Sequence, residues 1–131
     1  MSSPHVLIVD DDPSVRGVVQ AVLETDGFTT WTVNDGADAL AAIETATPDA
    51  VVLDLMMPGT SGWEVLHEVR TDARPHRRQL PIVVLTAKAA PDDVDGAQRA
   101  GASAYLAKPF EPDELITTLT RLIAESAIRP R

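Results

Sequence analysis

Short apolar runs separated by amphipathic stretches fill most of the chain. Residues 6–9, 50–53 and 82–85 are uninterrupted runs of Val, Leu, Ile and Ala, the pattern of strands buried on both faces of a parallel sheet. Residues 29–33, rich in Thr with one Trp, and residues 105–107 add two more strands. Between the runs, apolar positions recur at helical spacing: Val15, Val18, Val19, Val22 and Leu23; Ala37, Leu40, Ala41 and Ile43; Val65, Leu66 and Val69; Leu115, Ile116, Leu119, Leu122 and Ile123. Boundary residues agree with these helices. Asp12 before Pro13 suits an N-cap, Gly27 a C-terminus, Asn34-Asp35 a second start, and Glu111-Pro112-Asp113-Glu114 a last one. Residues 91–100 are the weak stretch: Val94 is the only large apolar side chain, and Gly96 costs about 1 kcal/mol relative to alanine inside a helix. This helix is expected to be mobile.

Five strands alternating with five helices predict an α/β, doubly wound, five-stranded parallel sheet with helices on both faces, because right-handed crossovers leave few other topologies. The expected strand order is 2-1-3-4-5, a flavodoxin-like arrangement in which the chain reverses direction between strands one and three. Ligands bind outside the carboxyl ends of strands at such a reversal. Here those ends carry Asp10 and Asp11, then Asp54, Thr86 and Lys108. One domain is expected over residues 1–127, with residues 128–131 as a tail or truncated linker.

Composition narrows the function. Hydrophobic content of 44% and charged content of 24% suit a folded soluble domain. Eleven Lys and Arg against twenty Asp and Glu leave a formal net charge of −9, a field that repels nucleic acid and anionic membrane. Neither is expected to bind directly. The absence of cysteine excludes disulfides and thiolate chemistry, and no apolar run approaches the ~20 residues of a membrane helix. A cytoplasmic location is expected. Arg74, His76, Arg77 and Arg78 form a local basic patch, expected to be a solvated loop.

Three carboxylates brought together must hold protons or recruit a cation. Oxygen-only donors with no neighbouring His or Cys favour Mg²⁺ over zinc or copper. Phosphoryl transfer then needs an in-line nucleophile and donors for the equatorial oxygens; Asp54 can attack, while Thr86 and Lys108 can donate.

These residues resemble the receiver domain of bacterial response regulators, close to the single-domain chemotaxis type. The resemblance rests on Val9-Asp10-Asp11, on Asp54-Leu55-Met56-Met57-Pro58 with Gly62, on Leu80-Pro81-Ile82 leading to Thr86-Ala87, and on Gly101-Ala102-Ser103 leading to Tyr105 and Lys108-Pro109-Phe110. It implies that Asp54 accepts a phosphoryl group from the phosphohistidine of a sensor histidine kinase or phosphotransfer protein. It also implies that Mg²⁺ is held by Asp11, Asp54 and the backbone carbonyl of Met56, with Asp10 acting through a water. Lys108 would pair with the phosphoryl group, the Lys108-Pro109 bond would be cis, and Thr86 and Tyr105 would change position on activation. The implied partners are that kinase, an output domain or downstream protein, and a second copy of the chain in a phosphorylation-dependent homodimer. Such a domain catalyses only its own phosphorylation and dephosphorylation.

Two rivals stand beside this. A haloacid-dehalogenase-like phosphohydrolase would use Asp10 as nucleophile and Asp12 as acid, and a degenerate receiver would bind partners without phosphorylation. Asp12 is expected to cap the first helix instead. Trp31 and Trp63 are expected to pack, with Trp63 also placed to report metal binding, and His5, His67 and His76 to be structural or solvated. Met56 and Lys88 lie two positions past Asp54 and Thr86; Met56 cannot hydrogen-bond an attacking water, so a long-lived acyl phosphate is expected.

Overall fold

The computed structural model describes residues 3–87 and 90–128. Lys88 and the tail residues 129–131 lie outside them. Five strands, β1 (His5–Val9), β2 (Thr29–Val33), β3 (Ala50–Leu53), β4 (Ile82–Thr86) and β5 (Ala104–Ala107), form one sheet in the order β2-β1-β3-β4-β5. Every pairing is parallel: Leu7 lies opposite Trp31 and Val51, and Val84 opposite Leu53 and Tyr105. The architecture and order predicted from the sequence are those observed.

Strand alternation divides the core into two layers. Val6, Ile8, Val52, Val83 and Leu85 pack with Val19 and Leu23 of α1 (Pro13–Thr25) and with Leu115, Leu119 and Leu122 of α6 (Pro112–Ala127). Leu7, Val9, Val51, Leu53 and Val84 pack on the other face with Ala39 and Ile43 of α2 (Gly36–Thr45) and Val65, Leu66 and Val69 of α3 (Gly62–Arg70). Helices on both faces leave the central strands no solvated side, which is why their runs are apolar at every position.

Four expectations are corrected. In α1, Val18 is 55% exposed, because the buried line runs through Val19 and Leu23, and a valine-rich helix blurs the edge of its own apolar stripe. In α2 the buried residues are Ala39, Ala42 and Ile43, while Ala37 and Ala41 face solvent; alanine is small enough to sit on either face. Trp31 and Trp63 are partly exposed, at 44% and 37%. The basic patch is a short helix, α4 (Pro75–Arg78), opened by Pro75 at a position where a missing N–H costs nothing. Arg74 pairs with Asp72 at 2.9 Å and Glu44 at 3.0 Å, and Arg77 pairs with the same Glu44, so the patch stays solvated but is a helix with two of its arginines paired to acids.

Arg70, not singled out by the sequence, ties the far end of the sheet. Its guanidinium donates to the carbonyls of Gly101 at 2.8 Å and Leu80 at 2.7 Å, joining the end of α3 to the segments that enter β4 and β5. The weak stretch does form a helix, α5 (Pro91–Arg99), which buries only Ala97 and lacks a side-chain N-cap. A Cβ at Gly96 would lie 3.5 Å from Cη2 of Trp63, an ordinary contact. Gly96→Ala is therefore expected to stabilise the protein by up to about 1 kcal/mol in urea unfolding, since nothing opposes the gain in helix propensity. A lower midpoint would show that the helix needs the glycine. Among the described residues no helix is long and apolar enough to cross a membrane.

Candidate functional site

β1 and β3 end level with each other. Val9 lies opposite Leu53, and the Asp54 amide donates to the Val9 carbonyl at 3.0 Å, so the two chains release their next residues side by side. As a result the carboxylate oxygens of Asp10, Asp11 and Asp54 lie within 4.8 Å of one another. Asp10 and Asp54 are buried and Asp11 is exposed. Lys108, one residue past β5, reaches back across the sheet edge with Nζ 2.7 Å from Oδ2 of Asp10 and 3.2 Å from Oδ2 of Asp54. The other oxygens accept from main-chain amides, Asp12 to Asp10 at 2.9 Å and Met56 to Asp54 at 3.1 Å.

Burial pushes the Asp10 carboxyl above its ordinary value, against the pull of Lys108 and the Asp12 amide. Burial alone would draw Lys108 down, but its bond to Asp10 and the charges of Asp10 and Asp54 outweigh that and hold it above the usual lysine value. The ammonium is thus fixed as a cation beside a crowded acid pair.

The loop that follows Asp54 returns onto it. A Cβ at Gly62 would stand 2.4 Å from the Asp54 carbonyl oxygen and 2.6 Å from Cα of Leu55, so only glycine lets α3 begin this close to the backbone of Asp54. The approach fixes Asp54 from behind.

Thr86 and Tyr105 share a sheet face, since Tyr105 lies opposite Val84, one pleat before Thr86. Thr86 is fully buried and its hydroxyl finds no partner among the described residues, and the same holds for the buried Tyr105 hydroxyl. Burial, then the charges of Asp93 and Asp54, raise the Tyr105 phenol above its ordinary value. An unmet buried hydroxyl costs about 1–3 kcal/mol, so each of these groups gains from an acceptor that comes within reach.

Of the residues predicted for the site, Asp10, Asp11, Asp54 and Lys108 meet and Thr86 ends the adjoining strand, while Met56 donates its amide to Asp54 with its side chain 52% exposed; Lys88 lies outside the described residues. Asp12 caps α1, accepting from the Ser14 amide at 2.9 Å, as expected. The three histidines are exposed. The Lys108-Pro109 bond is cis. A donor set made only of carboxylate oxygens, with unsatisfied hydroxyls nearby, fits Mg²⁺ and an incoming oxyanion. A cleft of about 320 Å³ lined by Thr47, His76 and Ile123 lies at the opposite, amino-terminal end of the strands and contains none of these groups.

One contact was not foreseen. Arg16 of α1 donates from Nη1 to the main-chain carbonyl of Asp10 at 2.7 Å. Its position six residues past Asp10, on the first turns of a helix leaving the acid pair, was the available signal.

The chain is similar to the DNA-binding response regulator MtrA of Mycolicibacterium smegmatis, with 39% identity over 126 residues that cover 96% of this chain and 53% of that protein. It spans about half the length of the curated relatives it matches. Their DNA binding runs against the expectation of no nucleic-acid partner as far as those whole proteins are concerned. Among solved structures it resembles the Vibrio cholerae chemotaxis protein CheY4, with TM-score 0.83, 34% identity, and coverage of 92% of this chain and 99% of that one. It also resembles the receiver domain of the sensor histidine kinase PA1611 from Pseudomonas aeruginosa, solved with magnesium coordinated in its active-site cleft, with TM-score 0.85, 34% identity, and coverage of 94% and 99%. The family model for the response regulator receiver domain matches residues 6–120, nearly the whole folded unit. The chain belongs to the family of response regulator receiver domains.

Proposed function

We propose that Asp54 accepts a phosphoryl group from the phosphohistidine of a partner kinase or phosphotransfer protein, in a Mg²⁺-dependent reaction that switches the domain between two conformations in the cytoplasm. The observation that carries this is the buried Asp54 carboxylate, held by the Met56 amide and Lys108 beside Asp10 and Asp11. A carboxylate oxygen of Asp54 attacks phosphorus, the O–P bond forms as the P–N bond breaks, and the electron pair leaves on the imidazole. Lys108 balances charge on the phosphoryl oxygens and Thr86 donates its free hydroxyl to one of them. Asp11, Asp54 and the Met56 carbonyl would hold Mg²⁺, with Asp10 reaching it through a water. The ion's contribution is to offset the negative charge that gathers as phosphate meets three acids.

Drawing Thr86 toward the phosphoryl group opens space for Tyr105, and both share the sheet face against which α5 packs. The thin packing of α5 makes it the element easiest to displace. A shift from 1:99 to 99:1 takes about 5.5 kcal/mol, within reach of several charge-assisted bonds. Output passes to a further domain or another protein, or through a phosphorylation-dependent homodimer. DNA binding, as in the MtrA relatives, would belong to such a further domain, since this acidic segment repels the duplex.

Incubation with acetyl phosphate and Mg²⁺, followed by peptide mapping in a mass spectrometer, is expected to place one label at Asp54 and none without the ion. A label at Asp10 would favour a hydrolase, and no label at all a binding module that works without phosphorylation. The exposed Met56 side chain offers an attacking water no hydrogen bond, so Met56→Asn is expected to speed loss of the label severalfold. An unchanged decay rate would remove Met56 from that role.

A further inference from the structure

Each oxygen of Asp10 accepts a hydrogen bond. Oδ1 takes the Asp12 amide at 2.9 Å, Oδ2 takes Lys108 at 2.7 Å, and the main-chain oxygen takes Arg16 at 2.7 Å. The last bond is needed because Asp10 lies beyond the ladder: β1 ends at Val9, and its final carbonyl already serves the Asp54 amide. Asp11 is in the opposite condition. It is exposed and accepts no hydrogen bond among the described residues, so only the backbone limits where its carboxylate can reach, and the peptide that joins it to Asp10 sets the direction of its Cα–Cβ bond. That peptide carries the carbonyl that Arg16 grips.

We propose that Arg16 is a positioning residue for the metal site, fixing the Asp10-Asp11 peptide so that the Asp11 carboxylate meets those of Asp10 and Asp54 before any ion arrives. The inference rests on the metal-binding role given to these acids above. Arginine suits the task, being cationic at every working pH and able to reach from the first turns of α1, where its own amide bonds the Asp12 carbonyl at 3.0 Å. Its charge alone has the contrary effect, since a cation near the site repels Mg²⁺. Positioning and charge therefore predict opposite signs when the guanidinium is removed.

The test is calorimetric titration of Mg²⁺ into the wild type, Arg16→Met, Arg16→Lys and Gln20→Ala. Methionine keeps the packing of the aliphatic stem without a donor, and lysine restores both donor and charge. Gln20→Ala breaks another tie of the same helix, the bond from Nε2 to the Thr30 hydroxyl at 3.0 Å, away from the acids. Arg16→Met is expected to weaken Mg²⁺ binding about tenfold, as losing the support behind a metal ligand commonly does. Arg16→Lys should recover most of that, and Gln20→Ala should bind as the wild type does. Unchanged or tighter binding by Arg16→Met would overturn the proposal while leaving the site's metal role intact. Equal weakening by Gln20→Ala would reduce Arg16 to a fold contact. A wild type that binds no Mg²⁺ would overturn the proposal together with the function on which it rests.

Discussion

Asparagine at position 54 is expected to abolish labelling by acetyl phosphate while leaving the fold as stable as before or more so. The loss is complete because the neutral amide oxygen is a poor nucleophile and no other described side chain is placed to take over: Asp10 is engaged on both carboxylate oxygens, and Asp11 is exposed to solvent. The gain in stability comes from electrostatics. The charge of Asp54 is among the influences that raise Asp10, so removing it relieves the buried pair, and the side-chain oxygen of the substituted amide can still accept from the Met56 N–H. Thermal unfolding with and without Mg²⁺ separates the two effects. An ion present at 100 times its Kd stabilises the wild type by about 2.7 kcal/mol, and Asp54→Asn should lose most of this increment. A variant that still takes up phosphate, or that melts well below the wild type without Mg²⁺, would contradict the account.

Lys108→Met is expected to slow phosphorylation by roughly 10²–10³-fold, the usual cost of removing one aimed donor from a developing anion. It also leaves two buried acids facing each other. The penalty at neutral pH is about 1–3 kcal/mol, below that of a dry ion pair because solvent reaches the lysine. Its dependence on pH has a definite sign. Asp10 already titrates above its unfolded value, and losing the bond and charge of Lys108 raises it further. A carboxyl raised in the folded state binds its proton more readily there than in the unfolded chain, so stability falls as pH rises through the folded pKa. The cost should therefore be greatest above the raised pKa of Asp10 and shrink as pH falls through it, where Asp10 takes up a proton. In the wild type, the contribution of Lys108 is present below 10.5 and fades as pH climbs through its raised value. Urea unfolding of both proteins across this range checks the prediction, and a variant cost that does not change with pH would refute it.

The legibility of the chain was uneven, for physical reasons. The strand interiors were readable because two-sided burial demands apolar residues without interruption, as in Ile82, Val83, Val84 and Leu85. The site was readable because each such run ends on a polar residue, and a parallel sheet brings all these ends to one edge. Helix faces rich in Ala and Val were harder, since Val18 and Ala41 meet the periodic pattern without being buried. The pairing of the basic patch was not legible because one of its partners is distant in sequence: Glu44 reaches Arg74 and Arg77 only once α2 and α4 are in place.

By itself, then, the sequence determined the alternation of strands and helices and the nature of the groups at the strand ends. These depend on local periodicity and on chemistry carried by single residues. Only the tertiary structure decided which acceptors are already occupied. It placed Lys108 between Asp10 and Asp54, set Arg16 on the Asp10 carbonyl, and left the Thr86 and Tyr105 hydroxyls without partners among the described residues. The pairing of Lys108 depends on a distance between residues as far apart in the chain as Asp10 and Lys108, and no local pattern encodes a distance of that kind.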